Sequence, residues 1–172
     1  MLETIRRDRV PNLVALHYAA DRWEVLNLFL VPQFAFSASV LEKRQPLSST
    51  ARRAGWVGCN ILLNRIPVDA QIALVRDGVI TKPSDVRRQY RRLRPLAELS
   101  VENRGWTLDI LNAVRSLGKE QFTLAEVYAS EPQLARLHPK NQRIRPKIRQ
   151  QLQVLRDKGF VDFLGGGSYR MR

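Results

Sequence analysis

Residues 147–159 constrain the fold of this chain more than any other stretch. At about 3.6 residues per turn, Ile144, Ile148, Leu152 and Leu155 line one apolar stripe. Arg149, Gln150 and Gln153 stand on the opposite side, flanked by Arg143 and Lys147. A stripe of that kind has to be buried against other elements. Pro146 lies just inside the start and Gly159 just past the end, the asymmetry expected of helix termini. Next come an apolar run at 160–164, the triplet Gly165-Gly166-Gly167 and a short run at 168–171, which together read as a β-hairpin with a permissive tip. Upstream, Trp106, Ile110, Leu111, Val114 and Leu117 recur at helical spacing as far as Gly118. Thr123-Leu124-Ala125-Glu126 has the form of a capping box, opening a helix that is expected to run to about His138. Three helices followed by a hairpin describe a winged helix whose third helix faces a ligand.

The chemistry of that face points to duplex DNA. Arginine can bond guanine O6 and N7 together, and glutamine can do the same at adenine N6 and N7, each pair worth roughly 1–3 kcal/mol of discrimination. Arg149, Gln150 and Gln153 therefore suit a mixed G/A site, and Arg170 and Arg172, beside the wing, are expected to meet phosphate. The formal net charge of +13, from 29 Lys+Arg against 16 Asp+Glu, agrees with this. Both halves of the chain are basic, as suits a polyanion contacted along most of the molecule. Other classes are disfavoured. A single Cys59 excludes an internal disulfide framework, and Cys59 itself reads as a small buried residue. His17 and His138 stand far apart without carboxylates at ligand spacing, so no metal site is expected. No apolar run approaches the ~20 residues of a membrane span and no signal peptide is visible, so a cytoplasmic location without a membrane partner is expected.

The first half has a different pattern. Residues 12–17 and 23–31 are β-rich runs separated by Tyr18-Ala19-Ala20-Asp21-Arg22, as in a hairpin. The second run is nearly all apolar, which predicts a strand covered on both faces, and Pro32 ends it. Residues 37–44 predict a short helix, 45–58 a basic loop, 59–63 and 71–76 strands, and Asp77-Gly78 a turn. Pro83-Ser84-Asp85 opens a helix through Arg94 that Pro95 closes. Its Arg87, Arg88, Arg91 and Arg92 are the densest positive run and candidates for phosphate contact. In the basic loop, Arg52 and Arg53 can clamp a phosphate while Trp56 presses on a base. The alternative for Trp56 is a core anchor. The expected class is α+β: a partial α/β domain over 1–95, a linker at 96–105, and a winged helix over 106–172.

Four segments carry a family resemblance: KRQPLSSTARRAGWVGCNI at 43–61, RGWTLDILN at 104–112, FTLAEVY at 122–128 and KIRQQLQVLRDKG at 147–159. With them the chain resembles the Dam-replacing, DpnI-type restriction endonucleases from about residue 11 to 172. The resemblance implies an N-terminal PD-(D/E)xK nuclease domain with a four-cysteine zinc site, a C-terminal winged helix, and Mg²⁺-dependent cutting of Gm6ATC. It would place Trp56 in a loop that contacts methyladenine, and Arg149, Gln150 and Gln153 in the reader.

Two departures bear on activity. The chain has one cysteine, and no Asp or Glu is followed two residues later by Lys. The acids that would hold Mg²⁺ and the cysteines that would hold Zn²⁺ are missing, so no catalytic residue and no cofactor site is assigned to this chain. The expectation is the C-terminal two-thirds of such an enzyme, with a new or truncated start at residues 1–9 and no cutting activity alone. The leading reading is a methylation-directed binder of double-stranded DNA. The second is an endonuclease completed by a separate chain carrying the nuclease segment. The third is a winged-helix transcription regulator, which leaves residues 51–61 unexplained.

Overall fold

In the computed structural model, which describes residues 2–172, a short helix α1 (Leu2–Arg6) leads into the expected hairpin of β1 (Leu13–Ala19) and β2 (Glu24–Val31). The pair is antiparallel, with Val14 opposite Leu30 and Leu16 opposite Leu28. Pro32 follows β2, as expected. The chain next makes a 3-10 turn at Ala38–Val40 and enters β3 (Leu41–Lys43), which pairs with β4 (Cys59–Ile61). The helix expected over 37–44 is therefore absent. Pairing of Glu42 with Asn60 and of Lys43 with Cys59 satisfies the backbone there, a tertiary effect that overrides local propensity.

β5 (Ile72–Arg76) adds to β2, and β6 (Val79–Ile80) adds to β5, giving an antiparallel sheet in the order β1-β2-β5-β6. Asp77 and Gly78 both take positive φ, 49° and 77°, which matches the twist that a two-residue hairpin turn needs. β2 was expected to be covered on both faces, but only Val31 within it is fully buried. The sheet packs through one side, where Val31 and Ile72 join the core, while Val14, Leu16 and Tyr18 remain exposed on the other. A long apolar run thus marks a one-sided strand here.

Helix α2 (Pro83–Leu93) begins with Pro83 in its first turn, and a 3-10 turn at Arg94–Glu98 extends it past Pro95. The expected linker at 96–105 is ordered structure. Leu96 is fully buried, Ser100 caps the next helix by accepting from the Asn103 N–H, and α3 (Val101–Ser116) is already running by residue 101. α3 is buried nearly all round: Trp106, Leu108, Ile110, Leu111 and Val114 are all at or below 2% exposure. It packs against the 3-10 turns of the first half and against the last helix, so the two halves share one core.

The rest follows the winged-helix plan with two corrections. β7 (Gln121–Thr123), not foreseen, pairs with the second wing strand. The helix expected to reach His138 is two helices, α4 (Leu124–Tyr128) and α5 (Glu131–Leu137). Pro132 has no N–H for the Tyr128 carbonyl, and its ring would strike that carbonyl in a continuous helix. The capping box is present: Thr123 Oγ1 accepts from the Glu126 N–H, and Glu126 accepts from the Thr123 N–H. α6 (Ile144–Asp157) carries the stripe of Ile144, Ile148, Leu152 and Leu155, all buried. β8 (Val161–Gly165) and β9 (Ser168–Met171) form the wing, completing a sheet in the order β7-β9-β8. No helix among the described residues is long and apolar enough to cross a membrane.

The segment before β1 touches this core at a few points. Ile5 and Val10 are buried, and Asp8 forms an ion pair with Arg104, a fully buried side chain of α3.

Candidate nucleic-acid interface

The outer face of α6 carries Arg149, Gln150 and Gln153, all exposed. Arg149 has no carboxylate partner among the described residues, and neither does the exposed Arg143, whereas Arg145 is engaged by Glu131 at 2.7 Å and Arg156 by Asp157 at 2.9 Å. Lys147 is turned partly inward. Its Nζ lies 3.3 Å from Asn103 Oδ1 and 5.9 Å from the centre of the Trp106 ring, so it bridges α6 to α3. Both ends of α6 are fixed. Near its start, His138 stacks on Trp106 at 3.5 Å and meets Asp109 at 2.8 Å, and Asp109 also accepts from Ser39 at 2.6 Å. Past its end, Lys158 donates to Glu98 at 2.5 Å. A reader held at both ends presents its outward side chains at a fixed angle.

The wing is less cationic in effect than its sequence suggests. Asp162 accepts from Arg172 at 2.6 Å and from Arg170 at 3.1 Å, and these bonds hold its carboxyl below the ordinary carboxylate range. The exposed wing side chains are instead Phe163 and Leu164, with Phe163 packed on Tyr169 and Tyr169 stacked on Phe122.

The Arg87–Arg92 run separates into two kinds of residue. Arg88 pairs with Asp85 at 2.8 Å, and Arg92 donates to the main-chain oxygen of Arg172 at the base of the wing. Arg87 and Arg91 are exposed without a carboxylate partner among the described residues, on either side of a shallow hollow floored by Val86 and Tyr90. Contact between Arg92 and Arg172 brings this run beside the wing, a proximity that sequence spacing does not reveal. Arg115, tied to Asp69 at 2.7 Å, also lies near that oxygen, at 3.5 Å.

Residues 45–58 extend the β3–β4 hairpin into an arm. The Arg44 N–H donates to the Gly58 carbonyl and the Leu47 N–H to the Trp56 carbonyl, at 3.0 and 2.9 Å. Arg52 and Arg53 are exposed on it, and Trp56 is 54% exposed with its ring over Gly58. A Cβ at Gly58 would stand 3.0 Å from that ring, so the glycine lets the indole lie flat on the arm. Trp56 is not a core anchor, and Cys59, expected to be buried, is exposed. An aromatic face and two exposed guanidiniums on one projecting arm form a surface suited to phosphate and base.

The Mg²⁺ and Zn²⁺ implied by the resemblance do not fit this donor set. Among the described residues no three His, Cys, Asp or Glu side chains are grouped to hold an ion.

A winged helix with a polar outward face, a basic flanking run and a basic aromatic arm defines a helix-turn-helix protein that binds DNA. Residues 102–171 match the family described as the Dam-replacing HTH domain, and residues 1–99 match the Dam-replacing family. The chain belongs to the Dam-replacing family, whose restriction–modification role it shares at the level of DNA binding. The match begins at residue 1, earlier than the start near residue 11 expected from the sequence.

Proposed function

We propose that this chain reads adenine-methylated double-stranded DNA, by resemblance at Gm6ATC, as the DNA-reading part of a type II restriction endonuclease. The observation that carries the reading is the outward row of Arg149, Gln150 and Gln153, exposed on a helix tied down at both ends. In this assignment Arg143 and Lys147 flank the major groove, Arg170 meets phosphate once released from Asp162, and Arg87 and Arg91 track the backbone with support from Arg88 and Arg92. Arg52, Arg53 and Trp56 approach the site from the arm. Residues 1–95 are the remnant of a PD-(D/E)xK-like domain, and residues 106–172 are the reader.

Methyl selectivity has a natural scale. One added carbon in an apolar contact typically gives ~1–3 kcal/mol, and N6-methylation leaves one N–H for a glutamine acceptor. A palindromic site offers two methyl groups, so the preference grows when both are sensed together.

Fluorescence anisotropy at fixed salt, with GATC duplexes carrying two, one or no N6-methyl groups and a scrambled duplex, tests the reading. The expected order of affinity follows the methyl count, with the scrambled duplex weakest. Equal affinity for all four would sink the assignment. Incubating the chain with Mg²⁺ and methylated plasmid tests the endonuclease reading, in which another polypeptide supplies the acids. No cleavage by the chain alone is expected, and metal-dependent cleavage would require acids elsewhere in this fold.

A further inference from the structure

Given the DNA-reading assignment, on which this rests, we propose that the wing tip reads the minor groove beside the contacted major groove by apolar exclusion. Phe163 and Leu164 admit A·T pairs there and disfavour G·C pairs. In the winged helix the other large apolar side chains are at least partly buried. Phe163 and Leu164 are 49% and 46% exposed, side by side near the end of β8. The register with β9 shifts between Phe163 and Gly165, so Leu164 is the extra residue of a bulge and has no partner across the ladder. Beyond it, Gly165, Gly166 and Gly167 take φ of 92°, 56° and 77°, and a Cβ at Gly165 or Gly166 would meet nothing within 4 Å. The turn is bare backbone, which lets it approach the sugar–phosphate walls of a groove closely.

The exposed ring is held from behind and stands on the reader's side of the wing. Phe122 and Phe163 both pair with Tyr169, one from each neighbouring strand, so the three rings share one face of the sheet. Phe122 is buried in the core, Tyr169 stacks on it at 5.5 Å, and Phe163 follows at 5.3 Å. Burial pushes the Tyr169 phenol up and the charge of Arg156 on α6 acts against that, so this guanidinium stands near the row. Arg149 and Arg156 are seven residues apart, about two helical turns, and therefore share this flank of α6. The wing's own cations, Arg170 and Arg172, are held by Asp162. An apolar tip rimmed by guanidiniums and continuous with the reader's flank suits a groove between phosphates better than it suits an apolar protein surface.

The minor groove next to the one that α6 contacts lies about half of a 10–10.5 bp turn away, in the pairs flanking the site. Both kinds of pair present acceptors on its floor, and G·C alone adds a donor, the guanine N2 amino group. Neither Phe163 nor Leu164 can accept a hydrogen bond from that group, and covering it removes its water. The tip therefore sorts flanks without making a base-specific hydrogen bond of its own.

Fluorescence anisotropy of the full chain on methylated GATC duplexes tests this, with flanks of A·T, G·C or inosine·C pairs. Inosine·C keeps the major-groove face of G·C and lacks the amino group. A·T and inosine·C flanks should bind alike, and G·C flanks about tenfold more weakly. Phe163→Ala with Leu164→Ala should weaken binding to A·T flanks by about three- to tenfold, abolish the flank difference, and leave the salt slope unchanged, because no phosphate contact is removed. Phe163→Asn supplies an acceptor for the amino group and should relieve the G·C penalty, a gain that misfolding cannot produce. Varying the methyl count on the same duplexes with the unaltered chain separates the two readings. A methyl effect without a flank difference would overturn the wing proposal alone, and a flank difference without a methyl effect would overturn the methyl reading alone. Inosine·C flanks that bind as weakly as G·C, or a flank difference that survives both sets of substitutions, would also overturn the wing proposal.

Discussion

Thr107 on α3 and Gln151 on α6 meet through their side chains at 2.6 Å, where neither touches solvent. The Thr107 hydroxyl also lies 2.8 Å from the Asn103 carbonyl, and one hydroxyl hydrogen serves one acceptor. At the shorter distance the Thr107 hydroxyl donates to Gln151 Oε1, while the Gln151 amide nitrogen is buried without a partner among the described residues. That contact ties the buried Gln151 side chain to α3 and sets the rotation of α6 against it. Gln151→Ala should cost about 1–3 kcal/mol in urea unfolding and reduce site discrimination, because Arg149, Gln150 and Gln153 lose their fixed angle. Gln151→Leu should cost less in stability yet lose comparable discrimination. Unchanged discrimination in both variants would separate the pair from DNA reading.

Gln153→Ala removes an exposed side chain with no hydrogen-bond partner among the described residues. Binding to the preferred duplex should weaken by roughly 1–3 kcal/mol while binding to random duplex changes little. Competition titrations measure the ratio directly, and equal losses on both duplexes would assign Gln153 to general affinity.

The two kinds of arginine on α2 predict unequal salt effects. Arg87→Glu with Arg91→Glu should lower the magnitude of the slope of log K against log salt by about 0.9 for each phosphate no longer neutralised. Arg88→Glu should change it less, because Arg88 already pairs with Asp85. Identical shifts from both sets would mean that these internal ion pairs open fully on binding.

Glu126 gives a pH signature. A hydrogen bond from Lys119, followed by those from the backbone and hydroxyl of Thr123, lowers its carboxyl from 4.5 to about 2. The folded state therefore prefers the ionised form. Its contribution is complete above about 4.5 and is lost as pH falls toward 2. The melting temperature should fall across that window, and Glu126→Gln, which keeps the capping geometry without the charge, should fall less steeply. Parallel curves would leave the ionised carboxylate no part in acid stability.

The reader helix was legible because its evidence is local: Pro146, Gly159 and the spacing of Ile144, Ile148, Leu152 and Leu155 need no knowledge of the rest of the chain. The Asp77-Gly78 turn and the capping box at Thr123 were legible for the same reason. What escaped depends on distant partners. β3 takes its strand form from residues 59–61, and β7 exists because β9 lies beside it. The pairing of Asp162 with Arg170 and Arg172 likewise needs the folded hairpin to bring the charges together. The exposure of Trp56 could not be read from its size, which fits a core as well as an arm. Gly58, adjacent but one, was the available signal, since a glycine there permits an aromatic ring to lie over the backbone.

Three charged side chains of α3 find their partners in the first half of the chain: Arg104 with Asp8, Asp109 with Ser39, and Arg115 with Asp69. A gene segment beginning near residue 100 would carry those charges away from their partners, and with them the apolar flank of α3. A division there separates these groups from their partners, even though two family descriptions meet at that point. The winged helix and the domain in front of it therefore depend on each other for these contacts, and a substitution at Asp8 or Asp69 leaves a charge on α3, far along the chain from either, without its partner.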